Sequence, residues 1–136
     1  MSRVFADTGF WFALANKADG LHQVAKQLRE QHKSSTIVTT DECLVEFLCQ
    51  MRAPHHKKLA LGLLNVIRLT RQVVVKEQSR TSFDLGLVEY AKLHDKSCSL
   101  VDCISFNVMR EENISEALAH DDDFRQAGFS LLMRVQ

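Results

Sequence analysis

Hydrophobic and polar residues alternate along this chain with two different periods. Short apolar runs rich in β-branched residues predict strands, because such side chains pack well on a pleated surface. The predicted strands are Arg3-Val4-Phe5-Ala6, Thr36–Thr39, Gln72–Lys76, Cys98–Val101, Ser115–Ala119 and Ser130–Val135. The first run leads directly into an acid, Asp7, and a buried strand that ends in an acid implies that the acid caps the next helix or binds something.

Between these strands, apolar residues recur at helical spacing. Leu21, Val24, Ala25 and Leu28 follow the i, i+3, i+4, i+7 pattern of an amphipathic helix that runs to about His32. Further helices are predicted at 8–16, 41–51, 54–67, 81–94 and 103–112, with a short helical turn after residue 123. Because strands alternate with helices throughout, we predict an α/β fold in which helices cover both faces of a mostly parallel sheet of about five strands.

The composition is that of an ordinary globular domain. Of 136 residues, 46% are hydrophobic and 25% charged, and one proline and five glycines leave no room for a flexible linker. We therefore expect a single domain over residues 1–136. No apolar run reaches the roughly 18 residues of a transmembrane helix, and no signal peptide is recognised. Cys43, Cys49, Cys98 and Cys103 lack CxxC spacing, so we expect free, mostly buried thiols in a cytoplasmic protein.

The net charge is zero, but the charges are unevenly distributed. Residues 52–80 carry seven basic side chains and one acid, whereas the chain from Thr81 onward carries ten acids and five basic side chains. A basic middle with an acidic end suits a protein that contacts a polyanion and holds cations elsewhere. Charge alone favours the simpler interpretation of a solvated surface.

Three acids follow predicted strands: Asp7, Asp102 and Asp121. In an open α/β sheet, ligands bind at the carboxyl ends of the strands, so these acids are expected to meet there. Their repulsion would raise their pKa values unless a divalent cation such as Mg²⁺ or Mn²⁺, which prefers oxygen ligands, neutralised them. Each acid also precedes a predicted helix, where Asp is a favoured N-cap, so the residues alone leave a metal site and three helix caps as equal alternatives.

Glu46 lies on the helix predicted after the second strand. Its side chain projects about 160° from the centre of the apolar stripe of that helix, at roughly 100° per residue. That stripe consists of Leu44, Phe47, Leu48 and Met51. A catalytic glutamate and an ordinary surface glutamate would both have this position, so periodicity does not distinguish them.

Four segments resemble, in order, the motifs of the PIN domain family and, within it, the small single-domain VapC-type toxins. Together they extend over nearly the whole chain: Val4–Gly9, Thr39–Glu46, Ser99–Ser105 and Ala117–Phe124. The resemblance implies a three-layer α/β/α fold and a divalent-metal-dependent endoribonuclease, the toxin of a type II toxin–antitoxin pair, with Mg²⁺ or Mn²⁺ as cofactor. The residues that match the family's catalytic and metal-binding positions are Asp7, Glu46, Asp102 and Asp121.

The resemblance also implies roles for neighbouring side chains. Thr8 and Ser105 match positions that assist the site by hydrogen bonding. Asp123 matches a supporting acid or histidine, and the residue before it is expected to be an exposed spacer. The sequence departs from the family pattern at Gly9, where Ser is common, and at His120, where Asn or Phe is frequent.

The basic middle of the chain offers contacts to partners. A basic stretch can hold RNA phosphates electrostatically, and an acidic antitoxin tail would use the same side chains. The residues that we expect to make one of these contacts, with plain solvent exposure as the alternative, are Arg52, Lys57, Lys58, Arg68 and Arg71. The resemblance to the family implies RNA, a cognate antitoxin and a second copy of the chain as partners, and no membrane is expected.

Other chemistries that depend on an aspartate fit less well. A phosphatase of the haloacid dehalogenase type would need a second Asp at position 9, which is Gly9, and no glycine-rich phosphate loop is present. The alternative function is a PIN-fold RNA-binding or RNA-processing protein outside toxin–antitoxin systems. A noncatalytic protein of this kind would be expected to have lost some of the four acids.

Overall fold

The computed structural model describes residues 2–134 and consists of seven helices and five strands within that range. In chain order they are β1 (Arg3–Ala6), α1 (Thr8–Ala15), α2 (His22–Gln31), β2 (Thr36–Thr40), α3 (Asp41–Gln50), α4 (Pro54–Leu69), β3 (Val73–Lys76), α5 (Arg80–Lys92), α6 (Leu100–Glu111), β4 (Glu116–Leu118), α7 (Asp122–Gln126) and β5 (Ser130–Leu131). Across these residues, every helix is too short or too polar to cross a membrane.

The sheet is fully parallel, and its strand order is β3-β2-β1-β4-β5. From β1 the chain builds outward through β2 to β3, and then returns through α5 and α6 to place β4 on the other side of β1. The carboxyl ends of β1 and β4 therefore flank the point at which the strand order reverses. Such a switch point is where open parallel sheets bind ligands. The predicted α/β fold with a parallel five-stranded sheet is confirmed.

Side chains of β1 alternate between the two faces of the sheet, and helices cover both faces. Val4 and Ala6 pack into the hydrophobic cluster formed with α1 to α4, whereas Phe5 packs into the cluster formed with α6 and α7. All three side chains are completely buried. A register shift of one residue would move each of these side chains to the opposite face of the sheet. Burial therefore fixes the register of β1 and with it the position of Asp7 at the end of the strand.

The predicted strand Cys98–Val101 is wrong, because α6 already begins at Leu100. The hydroxyl of Ser99 accepts a hydrogen bond from the backbone N–H of Asp102 at 3.0 Å, and the Asp102 carboxylate accepts one from the backbone N–H of Ser99 at 3.1 Å. This reciprocal capping box satisfies two backbone donors of the first helical turn. Asp102 therefore lies in the first turn of a helix and not at the end of a strand.

The strands after α6 are shorter than predicted. β4 covers only Glu116–Leu118, and β5 covers Ser130–Leu131 of the predicted Ser130–Val135, whose last residue lies outside the described residues. The cysteines are free as predicted, although only Cys43 and Cys103 are buried and Cys49 is exposed.

Candidate metal centre

Asp7 lies at the switch point of the sheet. Its backbone N–H donates to the carbonyl oxygen of Leu118 at 3.2 Å, which ties the end of β1 to the end of β4. Asp7 occupies the N-cap position of α1 with an extended backbone, but its side chain makes no capping hydrogen bond. Only 8% of the residue is exposed. The carboxylate is thus held in a largely buried position without serving as a helix cap.

The environment of Asp7 disfavours its negative charge. The pKa of Asp7 is raised to about 7, mainly by burial and next by the charge of Asp102. Glu46 and Asp121 act in the same direction, while the backbone N–H of Thr8 offsets only part of the effect. Within residues 2–134, no ion pair involves any of these acids. A buried carboxylate without a counter-charge is costly, and a cation in the cleft would remove that cost.

Asp102 extends from the first turn of α6 towards the same region. Burial raises the pKa of Asp102 to about 6, and the charges of Asp121 and Asp123 contribute, although the capping bonds with Ser99 oppose the shift. One carboxylate oxygen of Asp102 accepts from the Ser99 backbone, as described above. The capping box therefore fixes the orientation of this acid as well as the start of the helix.

The loop after β4 supplies two further acids. One oxygen atom each from Asp102, Asp121 and Asp123 lies within 4.8 Å of the other two. Asp121 caps α7 by accepting from the backbone N–H of Asp123 at 3.0 Å. The intervening Asp122 is exposed and bonds to Arg125, with 2.6 Å between Nε and Oδ1. Asp122 is thus the exposed spacer that was expected, and its neighbours on both sides belong to the cluster.

Glu46 reaches this region from α3, where it is half-buried. All four acids expected from the sequence lie around one cleft of about 530 Å³. Its lining residues are Asp7, Thr8, Gly9, Glu46, Gln50, Ser97, Ser99, Asp102, His120, Asp121 and Asp123. The structure therefore places the four acids around one cleft, although the group of carboxylate oxygens within 4.8 Å consists of Asp102, Asp121 and Asp123 and does not include Asp7 or Glu46.

A buried polar group that sequence reasoning missed lies behind Asp7. The thiol of Cys43 is 3.9 Å from Oδ1 of Asp7 and 3.5 Å from the hydroxyl of Ser105, which in turn donates to the carbonyl of Val101. The hydroxyl of Thr8 donates to the Cys43 carbonyl at 3.4 Å. Thr8 and Ser105 thus both bond to Cys43, Thr8 at its backbone carbonyl and Ser105 at its thiol, and this thiol lies beside the Asp7 carboxylate. The available sequence signal is that Cys43 lies within the Thr39–Glu46 motif, three residues before Glu46.

The donor set fits a hard divalent cation. Mg²⁺ and Mn²⁺ bind oxygen ligands, usually a few carboxylates together with waters. Burial raises the pKa of Cys43 to about 12, so its thiol stays protonated and is a poor metal ligand. The chemistry available at this cleft is therefore that of an ion held by carboxylates.

The predicted basic residues lie away from the acids, with one exception. Arg52 lines a groove that adjoins the acid-lined cleft. Lys57, Lys58, Arg68 and Arg71 are exposed on α4 or just beyond it, and none of them lines the cleft. Of these five residues, Arg52 lines a space that adjoins the cleft, and the other four line neither space.

Comparison with known proteins gives consistent matches. The family model described as PIN domain matches residues 4–130. The 23S rRNA-specific endonuclease VapC20 of two Mycobacterium tuberculosis strains, CDC 1551 and H37Rv, is 36% identical over 129 residues, which covers 93% of this chain and 95% of the relative. The crystal structure of M. tuberculosis VapC20, described as a sarcin–ricin loop cleaving toxin, superimposes with a TM-score of 0.83 at 29% identity, over 93% of this chain and 95% of that one.

Proposed function

This chain belongs to the PIN domain family, and we infer that it is a divalent-metal-dependent endoribonuclease that acts as the toxin of a type II toxin–antitoxin pair. The single observation that carries the site is the cleft around which Asp7, Asp102 and Asp121 meet Glu46. A noncatalytic PIN protein would be expected to have lost some of these acids, and all four are present.

The proposed metal ligands are Asp7, Asp102 and Asp121, with Glu46 as a fourth acid. Support comes from the raised pKa values of Asp7 and Asp102, which reflect a site that lacks positive charge. Asp123 is the proposed supporting acid, because its carboxylate approaches those of Asp102 and Asp121. The proposed cofactor is Mg²⁺ or Mn²⁺, because carboxylate and water ligands suit both of these hard cations.

The side chains of the chain divide the work of hydrolysis. A bound divalent ion supplies activation of a water molecule and shielding of the phosphodiester charge. The deprotonated carboxylates of Asp7 and Asp102 would hold the ion, and the Ser99 cap keeps Asp102 oriented. Cys43 and Ser105 keep the Asp7 carboxylate in place from behind. Because these carboxylates are already in position before the substrate binds, little reorganisation is needed during the reaction.

The proposed substrate is structured ribosomal RNA. The relative VapC20 is named for cleavage of 23S rRNA, and its crystal structure for cleavage of the sarcin–ricin loop, so a hairpin with that loop is the first RNA to test. Arg52 is suited to bind an RNA phosphate beside the cleft. The exposed basic residues of α4 serve RNA or the antitoxin. Further proposed partners are a cognate antitoxin and a second copy of the chain, and the proposed location is the cytoplasm, where ribosomes are available.

The decisive experiment compares the wild type with Asp7→Asn. Both proteins are incubated with a synthetic sarcin–ricin loop hairpin in Mg²⁺, in Mn²⁺ and in EDTA, and the products are resolved by gel electrophoresis. We expect cleavage only by the wild type and only with metal. Equal cleavage by both proteins would show that the site is wrong or that the preparation is contaminated.

A growth assay tests the toxin role separately. Induction of the wild type without a partner should slow growth, and induction of Asp7→Asn should not. A cleaving enzyme that leaves growth unchanged would instead support an RNA-processing role outside toxin–antitoxin systems.

A further inference from the structure

A second groove adjoins the acid-lined cleft. It has a volume of about 660 Å³, within the range of roughly 300–1,000 Å³ that is usual for small-ligand sites. Gly9, Gln50 and His120 line both the cleft and this groove, so the two spaces meet at these residues. A strand whose phosphodiester lies at the acids would therefore continue directly into the groove.

The boundary between the two spaces is set by a close contact. A Cβ atom at Gly9 would lie 3.3 Å from Cε1 and 3.4 Å from Nδ1 of His120. The exposed imidazole ring thus lies against the first turn of α1, and a side chain at position 9 would push the ring away by a few tenths of an ångström. The two positions at which the sequence departs from the family pattern are therefore in contact with each other.

The lining of the groove suits an unpaired nucleotide. Phe12 and Leu21 provide half-buried apolar surface, and Arg52 provides an exposed guanidinium. The acid in the groove, Asp19, accepts a hydrogen bond from the backbone N–H of Leu21 at 2.8 Å and so is already engaged. The Gln50 amide offers both a donor and an acceptor. A nucleotide has the matching features, namely apolar base faces, polar base edges and one negative phosphate.

We propose that this groove binds the nucleotide next to the scissile phosphodiester, with the His120 ring as the surface on which its base stacks and Arg52 as the contact to its phosphate. This inference rests on the proposed ribonuclease function. Specific RNA recognition commonly uses unstacked loop bases that stack on aromatic or imidazole rings. Held by Gly9, the His120 ring acts as a positioning residue that sets how the strand enters the acid-lined cleft.

The test measures whether one base of the RNA contacts the His120 ring. Sarcin–ricin loop hairpins are prepared in which each loop nucleotide in turn is abasic, and binding is measured by fluorescence anisotropy in the inactive Asp7→Asn background, with and without His120→Ala. We expect one position at which the abasic change weakens binding about tenfold, the size of one base stack, and at which His120→Ala causes no further loss. That position should adjoin the bond that the wild type cuts.

Two further variants separate positioning from general damage. Gly9→Ala, which adds a methyl group against the ring, should abolish the same base dependence, whereas Gly62→Ala, where nothing lies within 4 Å of the added atom, should bind like its parent. Arg52→Ala should weaken binding of all hairpins alike and reduce the salt dependence by about one phosphate contact. Calorimetry with Mn²⁺ should give the same affinity for His120→Ala and wild type, because the ring is not a proposed ligand.

Several outcomes overturn the subsite. If the losses of binding free energy caused by His120→Ala and by each abasic change add at every position, no base contacts the ring. If the one coupled position is remote from the bond that is cut, the contact lies elsewhere. Variants that bind RNA normally but lose affinity for the cognate antitoxin would make the groove a protein-binding site. Absence of cleavage by the wild type would overturn the proposed function, while the binding scan would still decide whether the groove takes a nucleotide.

Discussion

The backbone N–H of Asp7 donates to the carbonyl oxygen of Leu118 at 3.2 Å, so the residue that follows β1 is joined to the last residue of the neighbouring parallel strand β4. Only two residues separate Leu118 from Asp121 along the chain. The pairing of β1 with β4 therefore places the buried Asp7 and the exposed Asp121 at one cleft. The repulsion between their charges is a consequence of the fold. The pH dependence, the metal dependence and the effects of mutations at this cleft follow from that arrangement.

The stability of the metal-free protein should decrease as the pH rises from about 4 to about 7. The pKa of Asp7 is raised from its usual 3.8 to about 7 in the folded state, so the folded protein binds more protons than the unfolded chain in this window. Deprotonation therefore favours unfolding, by an amount on the order of 4 kcal/mol for Asp7. Asp102, with a pKa raised to about 6, acts in the same direction. Urea unfolding in EDTA at pH 5 and pH 8 measures the difference.

The matched controls for this pH effect are Asp7→Asn and Asp122→Asn. The first should remove most of the loss of stability between pH 5 and pH 8. The second should leave it intact, because Arg125 lowers the pKa of Asp122 from its usual 3.8, so this carboxylate is ionised throughout the window from pH 5 to pH 8. A wild-type pH profile retained by Asp7→Asn would show that the charge of Asp7 is not the cause.

Binding of Mn²⁺ should release protons near pH 6.5. Carboxylates must be deprotonated to hold a metal ion, and those of Asp7 and Asp102 have pKa values of about 7 and about 6. The apparent affinity should fall about tenfold or more from pH 8 to pH 6, since each proton displaced below its pKa costs a factor of ten per pH unit. Calorimetric titrations in two buffers with different ionisation enthalpies measure the proton count. Identical heats in the two buffers would contradict the prediction.

Asp121→Asn and Asp122→Asn should differ sharply in activity although the residues are adjacent. Asp121 offers an oxygen to the acid cluster, and its loss should reduce cleavage more than about 100-fold, since even the residues that support metal ligands are worth 10–100-fold. Asn is also a good N-cap, so α7 should remain formed in the variant. The Asp122 carboxylate accepts a hydrogen bond from Arg125, and replacing Asp122 should change the rate less than about twofold. Initial rates on one hairpin substrate decide the matter, and similar losses for both variants would count against the ligand assignment.

The sequence predicted the parallel sheet, but it did not predict that the helix α6 begins at Leu100, inside the predicted strand Cys98–Val101. Buried β-branched runs and helical periodicity predicted β1, β2 and β3 with the helices between them. The run Cys98–Val101 looks the same by composition, but a short apolar run does not by itself distinguish a strand from the start of a buried helix. The competing signal was the spacing of Ser99 and Asp102, a capping pair that starts α6. Asp102 thus lines the cleft with the other acids, but it belongs to a helix and not to the predicted strand.

The remaining features of the site depend on contacts between distant parts of the chain. Periodicity fixes the direction of Glu46 relative to its own helix, but only the position of α3 at the edge of the sheet brings it to the cleft. Cys43 contacts Asp7 across 36 residues, and His120 packs on Gly9 across an even longer separation. Neither contact leaves a local pattern in the sequence, so both emerge only from the folded chain.

Ser99→Ala should reduce both stability and activity through one lost cap. The Ser99 hydroxyl accepts from the backbone N–H of Asp102, and replacing such an N-cap by Ala typically costs about 1 kcal/mol. The start of α6 would loosen, and the Asp102 carboxylate would lose the fixed geometry that its bond to the Ser99 backbone provides. We expect a loss of activity that Ser99→Thr, which retains a capping hydroxyl, largely reverses. Urea unfolding and initial cleavage rates are measured on both variants. An active Ser99→Ala enzyme with wild-type rates would show that Asp102 is oriented by other contacts, even if the stability falls as expected.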